Sequence, residues 1–179
     1  MTVELRSATA ADVPALQKVQ RDAGQRFRKV GLDKVADDEP LPVAVLRRFA
    51  AAGRAWVAVD ADDGVVGYVM VSIVDGAAHI DQVSVATAHQ TRGIGRMLVD
   101  RARYWAGENA LVAVTLTTFV DVPWNRPLYE RLGFRVLGSG EVGPELAALM
   151  EIEASNGLDP TTRVAMVAGP LPEHSARPC

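Results

Sequence analysis

The stretch of this sequence best equipped for chemistry is His89-Gln90-Thr91-Arg92-Gly93-Ile94-Gly95-Arg96-Met97-Leu98. It lies between a strand-like run ending near Val85 and a helix-like run beginning at Gly93. A helix start leaves its first N–H groups unpaired and carries a partial positive charge, so phosphate oxygens settle there. Gly93 and Gly95 keep Cβ atoms out of the way. Arg92 and Arg96 flank the turn and can add charge-assisted hydrogen bonds to outer phosphate oxygens. The stretch reads as a pyrophosphate cradle. A P-loop would need a Gly-Lys-Ser/Thr ending, and no Lys follows here. A dinucleotide fingerprint would need a third glycine where this chain has Leu98. What remains is the pattern Gln-x-x-Gly-x-Gly.

The elements that must position this cradle can be read along the chain. Residues 3 to 6 suit a short strand, and Thr9-x-x-Asp12 has the spacing of a capping box. Val13, Leu16, Gln20, Ala23 and Phe27, with Val19, recur at helical spacing. Gly31 to Pro42 breaks that pattern and reads as an acidic loop before a second helix that ends around Ala51 to Gly53. Arg54 to Asp60, Val65 to Val74 and Ala78 to Val85 are strand-like runs joined by Ala61-Asp62-Asp63-Gly64 and Asp75-Gly76 turns, which implies an antiparallel meander. After the cradle, Ile94, Met97, Leu98, Ala102 and Trp105 form a helix face that stops near Gly107, and Leu111 to Thr118 is a β-rich run. Strand, helix and strand in succession suggest a right-handed parallel crossover. A short helix over Pro123 to Gly133, a strand from Phe134, a helix over Glu145 to Ser155 and a strand over Arg163 to Ala168 complete the order. Asn125 is placed to cap the short helix. Residues 170 to 179, rich in proline, suit a loose tail after a single domain over 1 to 169.

Composition narrows the function classes. A chain of 179 residues with 49% apolar content can bury one sizeable core. A net charge of -3 gives no basic field for nucleic acid or an anionic membrane. The apolar runs are short and charge-interrupted, so a soluble, cytoplasmic protein is expected. Cys179, the single cysteine, argues against a disulfide or a catalytic thiol. His79, His89 and His174 lack metal-ligand spacing, so no metal is expected, and His89 is expected to be exposed beside the loop.

A second motif lies about thirty residues downstream: Trp124-Asn125-Arg126-Pro127-Leu128-Tyr129-Glu130-Arg131-Leu132-Gly133-Phe134. Together with Gln90-Thr91-Arg92-Gly93-Ile94-Gly95 and the order of elements, it resembles the GNAT superfamily of N-acetyltransferases. The resemblance implies an α/β fold with a mixed, mostly antiparallel sheet of six to seven strands flanked by helices on both faces. It implies acetyl-CoA as co-substrate and an amine acceptor, with a small molecule favoured over a protein and the chain acting as monomer or homodimer. Val83 and Val85 would offer backbone groups to the pantetheine arm, and Asn125, if not simply a helix cap, would contact the cofactor. Tyr129, a phenol near pKa 10, suits proton donation to a thiolate near 8.5. Asp81 or His79 could take the proton of the incoming amine, directly or through water. Asp37, Asp38 and Glu39 could attract a cationic acceptor or merely form a solvated helix N-terminus. Two other readings use the same residues: a catalytically silent acyl-CoA sensor that keeps the cradle without the acid, and a partner-binding protein without a CoA site.

Overall fold

A computed structural model describes residues 2–172. His174, Cys179 and most of the expected loose tail lie outside the described residues, while Leu171 donates its N–H to the Arg103 carbonyl at 3.1 Å. The elements, in order, are β1 (Val3–Ser7), α1 (Val13–Gly24), α2 (Asp33–Asp37), α3 (Val43–Ala51), β2 (Ala55–Asp60), β3 (Gly64–Val74), β4 (Ala77–Val85), α4 (Ile94–Glu108), β5 (Val114–Phe119), α5 (Arg126–Arg131), β6 (Arg135–Val136), α6 (Pro144–Ser155) and β7 (Arg163–Ala168), with short 3-10 turns between some of them.

Among the described residues seven strands form one sheet in the order β1-β2-β3-β4-β5-β7-β6. The pairs β1/β2, β2/β3, β5/β7 and β6/β7 are antiparallel, and β4/β5 is parallel. The tight Asp75-Gly76 connection makes β3 and β4 a hairpin, which is antiparallel by construction. This is the mixed, mostly antiparallel sheet that the resemblance implied. The parallel ladder is short, pairing Ala78 with Val114 and His79 with Thr115.

The chain forms two compact units, one of residues up to Val71 with Asp81–Arg101, the other of Ser72–Ile80 with residues from Ala102 onward. In the first unit Val13, Leu16 and Val19 of α1 join Leu46 of α3, Val57 of β2 and Tyr68 and Met70 of β3 in one buried cluster. That cluster explains why the stripe read in the sequence folds as a helix: each of those side chains gains about 1.5 to 3 kcal/mol by leaving water. The turn before α1 is held by Asp12, whose carboxylate takes the Thr9 N–H at 2.8 Å and both Arg6 nitrogens at 2.8 Å. The Arg6 guanidinium holds the Asp12 carboxyl down at about 2.

The expected loop before α3 is only partly a loop. The stretch from Gly31 to Pro42 is not all loop, because α2 forms within it. Leu32, Val35 and Ala36 do fall at helical spacing and are the less exposed positions, but a helix of five residues is too short for that period to stand out. Arg28 reaches both Asp33 and Asp37, which are four apart and so share a helix face, and Gln25 Nε2 donates to the Ala36 carbonyl at 3.0 Å.

In the second unit Val74, Leu146 and Ala165 are buried together beneath Leu137, Val142, Leu149 and Met150. The N-terminus of α6 is capped from a distant turn: Asp75 accepts the N–H groups of Glu145 and Leu146 at 3.0 and 2.9 Å. A Cβ at Gly143 would sit 2.4 Å from the Asp75 carboxylate, so glycine is required for that cap to approach.

Candidate functional site

In the first unit α4 starts where the sequence placed it. Gly93 is the residue before the helix, and its carbonyl accepts the Met97 N–H at 3.0 Å. Having no side chain, Gly93 cannot itself cap the first helical N–H groups. Its φ of +81° is in the left-handed region, which only glycine enters without strain. A Cβ there would meet nothing within 4 Å among the described residues. At Gly95 the nearest atom would be Val85 Cγ2 at 3.9 Å, an ordinary contact. Protein packing thus gives no reason for Gly95, although glycine in a helix costs about 1 kcal/mol relative to alanine.

The rest of the loop is held by its own groups. Gln90 turns back so that Nε2 donates to the Val85 carbonyl at 3.0 Å, and Thr91 Oγ1 donates to the Gln90 carbonyl at 2.5 Å. Thr91 has a φ of +66°, a strained conformation for a β-branched residue. Ile94 and Leu98 are buried and fix the helix start against β3, where Gly67 lets the strand come close. Arg92 and Arg96 are exposed, and Arg96 Nε lies 3.4 Å from Asp100 one helical turn on.

His89 does not stand exposed beside the loop. It is 4% exposed, and its Nε2 lies 2.9 Å from Asp63 Oδ2. The sequence offered no signal for this contact, because the partner is 26 positions away on the β2–β3 turn. Thr87, in the turn just before, is held by Asp22 of α1: its N–H donates to Asp22 Oδ2 at 2.5 Å and its Oγ1 to the Asp22 carbonyl at 3.1 Å.

Asp81 and His79 share strand parity yet differ in environment. Asp81 is exposed in the first unit. His79, in the second unit, is buried where β4 pairs with β5, and its Nδ1 is 3.0 Å from Thr115 Oγ1. Burial lowers its imidazole to about 4, against an opposing pull from Glu153. Val83 and Val85 are half-buried on the same strand. Of the acidic residues, Asp37 is paired with Arg28, while Asp38 and Glu39 are exposed.

The second unit also carries Tyr129, on α5. The residue is half-buried by surface area, but protein is dense around it, and desolvation pushes the phenol up to about 12 despite the positive Arg163. Its ring meets Phe134 edge-on at 5.8 Å, and its carbonyl accepts the N–H groups of Leu132 and Phe134 at 3.0 Å each. Asn125 occupies the N-cap position of α5 but makes no side-chain cap among the described residues; its carbonyl takes the Leu128 and Tyr129 N–H groups instead. Arg163, over the Phe119 ring at 4.6 Å, bonds Glu153 and Thr117, a cluster that sequence reading missed because it joins β5, α6 and β7.

Among the described residues no group of three His, Cys, Asp or Glu side chains could hold a metal ion, and no helix is long and apolar enough to cross a membrane. The profile of the acetyltransferase (GNAT) family matches residues 17–134. Solved structures similar to this chain include a PaiA N-acetyltransferase from Thermoplasma acidophilum in complex with coenzyme A, at 14% identity and TM-score 0.66, covering 94% of this chain and 99% of that one. A GNAT-family acetyltransferase from Staphylococcus aureus matches at 13% identity and TM-score 0.70, over 94% and 99% of the two chains. The ribosomal-protein-S18-alanine N-acetyltransferase from Escherichia coli matches at 14% identity and TM-score 0.63, over 99% of each. At such identities these structures speak for the fold, and the profile match, which spans the cradle and the Tyr129 motif, carries the assignment: the chain belongs to the GNAT family of acetyltransferases.

Proposed function

We propose that this protein transfers an acetyl group from acetyl-CoA to an amine, by direct attack in a ternary complex. The observation that carries the reading is the start of α4. Gly93 holds a left-handed φ and has no side chain with which to cap the helix N-terminus, while a Cβ at Gly95 would make only an ordinary contact with Val85 among the described residues. Backbone N–H groups and a helix dipole presented without a Cβ in the way suit a pyrophosphate. Arg92 and Arg96 supply positive charge on either side. Some of the solved structures of this fold are described as complexes with coenzyme A, which supports the same ligand here.

In this reading Val83 and Val85 bind the pantetheine arm through their backbone groups. The amine nitrogen attacks the thioester carbonyl, the carbon–sulfur bond breaks, and the leaving thiolate takes a proton from Tyr129. A phenol raised to about 12 is protonated throughout the neutral range, so the proton is present when needed. Asp81 is the better candidate to accept the proton of the amine, directly or through water: it is exposed, whereas His79 is buried against Thr115. Holding thioester and amine together supplies much of the acceleration, since effective molarities of about 10⁵ M or more are reachable for well-oriented groups.

Calorimetry with acetyl-CoA followed by a panel of amines, with release of free CoA as the signal, tests the reading. Binding plus turnover on some amine supports it. Binding without turnover on any amine favours the silent sensor, and failure to bind acetyl-CoA overturns the cradle.

A further inference from the structure

We infer that the turn between β2 and β3 positions the cofactor cradle: Asp63 holds His89, and through it sets the conformation of Gln90–Gly95 that accepts the pyrophosphate. The inference rests on the reading of that loop as a pyrophosphate site. It concerns residues of the first unit only.

The chain of contacts begins at Asp60, the last residue of β2, which is 2% exposed. Its Oδ1 accepts the N–H groups of Asp62 and Asp63 at 3.0 and 3.4 Å and so fixes the turn. Asp63 then reaches His89, with Oδ2 2.9 Å from Nε2. A carboxylate only accepts, so the imidazole proton in this bond sits on Nε2. His89 immediately precedes Gln90, and two residues on is Thr91, whose left-handed φ is sustained only if the surroundings over-determine it. The backbone just upstream is anchored by Ala86 N–H on the Val66 carbonyl at 2.8 Å and by Thr87 on Asp22. These fix where the segment enters. The Asp63–His89 bond fixes a side chain at the cradle's own edge.

Two features argue that this arrangement serves something other than stability. His89 Nδ1 and Asp60 Oδ2 are both buried without a hydrogen-bond partner among the described residues. An apolar side chain in either place would avoid that desolvation loss. Both polar groups belong to the one chain of contacts that ends at the cradle. Asp63 itself has a side chain 62% exposed, so its role is not to fill a core.

The test is Asp63→Ala, titrated with CoA by calorimetry and with ADP and pantetheine by NMR, which reads weak binding. ADP carries the pyrophosphate without the arm, and pantetheine the arm without the pyrophosphate. Asp63→Ala weakens CoA and ADP by about tenfold, the worth of one net hydrogen bond in an equilibrium, and leaves pantetheine unchanged. Asp63→Asn, whose amide oxygen still accepts from Nε2, recovers most of the loss. Unchanged CoA affinity in Asp63→Ala overturns the inference, as does an equal loss for pantetheine, which would mark a general structural role. A wild-type protein that binds neither CoA nor ADP would instead overturn the cradle itself, and the inference with it.

Discussion

Gly93→Asp separates folding from cofactor binding, because the two depend on different properties of the same position. In the free protein the new side chain enters open space, since a Cβ at Gly93 meets nothing within 4 Å among the described residues. The cost is conformational: holding an L-residue at a φ of +81° disfavours the fold by about 1 to 2 kcal/mol, partly offset by the lower entropy of the unfolded chain. A carboxylate at the start of α4 also complements the helix dipole, by about 0.3 to 1 kcal/mol. The net loss is therefore about 1 kcal/mol or less, a fall of about 2 to 4 °C in unfolding temperature for a chain of this size. Binding suffers far more. A carboxylate about 4 Å from a phosphate charge is repelled by about 4 kcal/mol at an effective dielectric of 20, close to a thousandfold in affinity. Gly93→Asn serves as the control, an uncharged isostere of the aspartate that enters the left-handed region about as readily. Thermal unfolding by circular dichroism and calorimetry with CoA read the two effects on the same samples. A folded Gly93→Asp protein that binds CoA within tenfold of wild type would refute the placement of the pyrophosphate.

Three further outcomes are expected. Tyr129→Phe lowers kcat by about 10²- to 10⁴-fold, the usual range for a general acid, with acetyl-CoA affinity unchanged; an unaltered kcat with chemistry rate-limiting removes the role. His79 is lowered to about 4 in the fold and titrates near 6.5 when unfolded, so between these values the unfolded chain binds the extra proton. Its contribution to stability is thus intact above pH 6.5 and falls by about 3 kcal/mol as pH drops to 4; urea titrations should show this slope in wild type and its loss in His79→Asn. Asp75→Ala removes the acceptor for two N–H groups of α6 and costs about 1 to 2 kcal/mol, read as a lower urea midpoint at unchanged slope. An unchanged midpoint would mean that water replaces the cap at no loss.

The local signals in the sequence were strong where one element decided its own shape. The stripe Val13, Leu16, Val19 needs only a period of 3.6, and the Asp75-Gly76 turn only two residues willing to take positive φ, here +49° and +73°. The same holds for the start of α4, where glycine spacing and a helix start are properties of consecutive residues. Long-range pairings were not legible. The α2 segment is too short for its apolar spacing to stand out and is tied to the preceding turn by Arg28 and Gln25, and the cap of α6 is an aspartate about seventy positions upstream. His79 and Asp81, equivalent by strand parity, are separated by burial, which depends on where the β4/β5 ladder runs.

The sequence by itself thus determined the family, the order of the elements apart from α2, and the glycine spacing on which the proposed pyrophosphate site at Gln90–Gly95 rests, because each depends on residue types at short, fixed spacing. Only the tertiary structure decided that His89 is buried on Asp63, that Asn125 leaves its cap position without a side-chain bond, and that Tyr129 is a desolvated phenol. Burial and electrostatic environment are set by what packs around a group. Those neighbours come from distant parts of the chain, and periodicity carries no record of them.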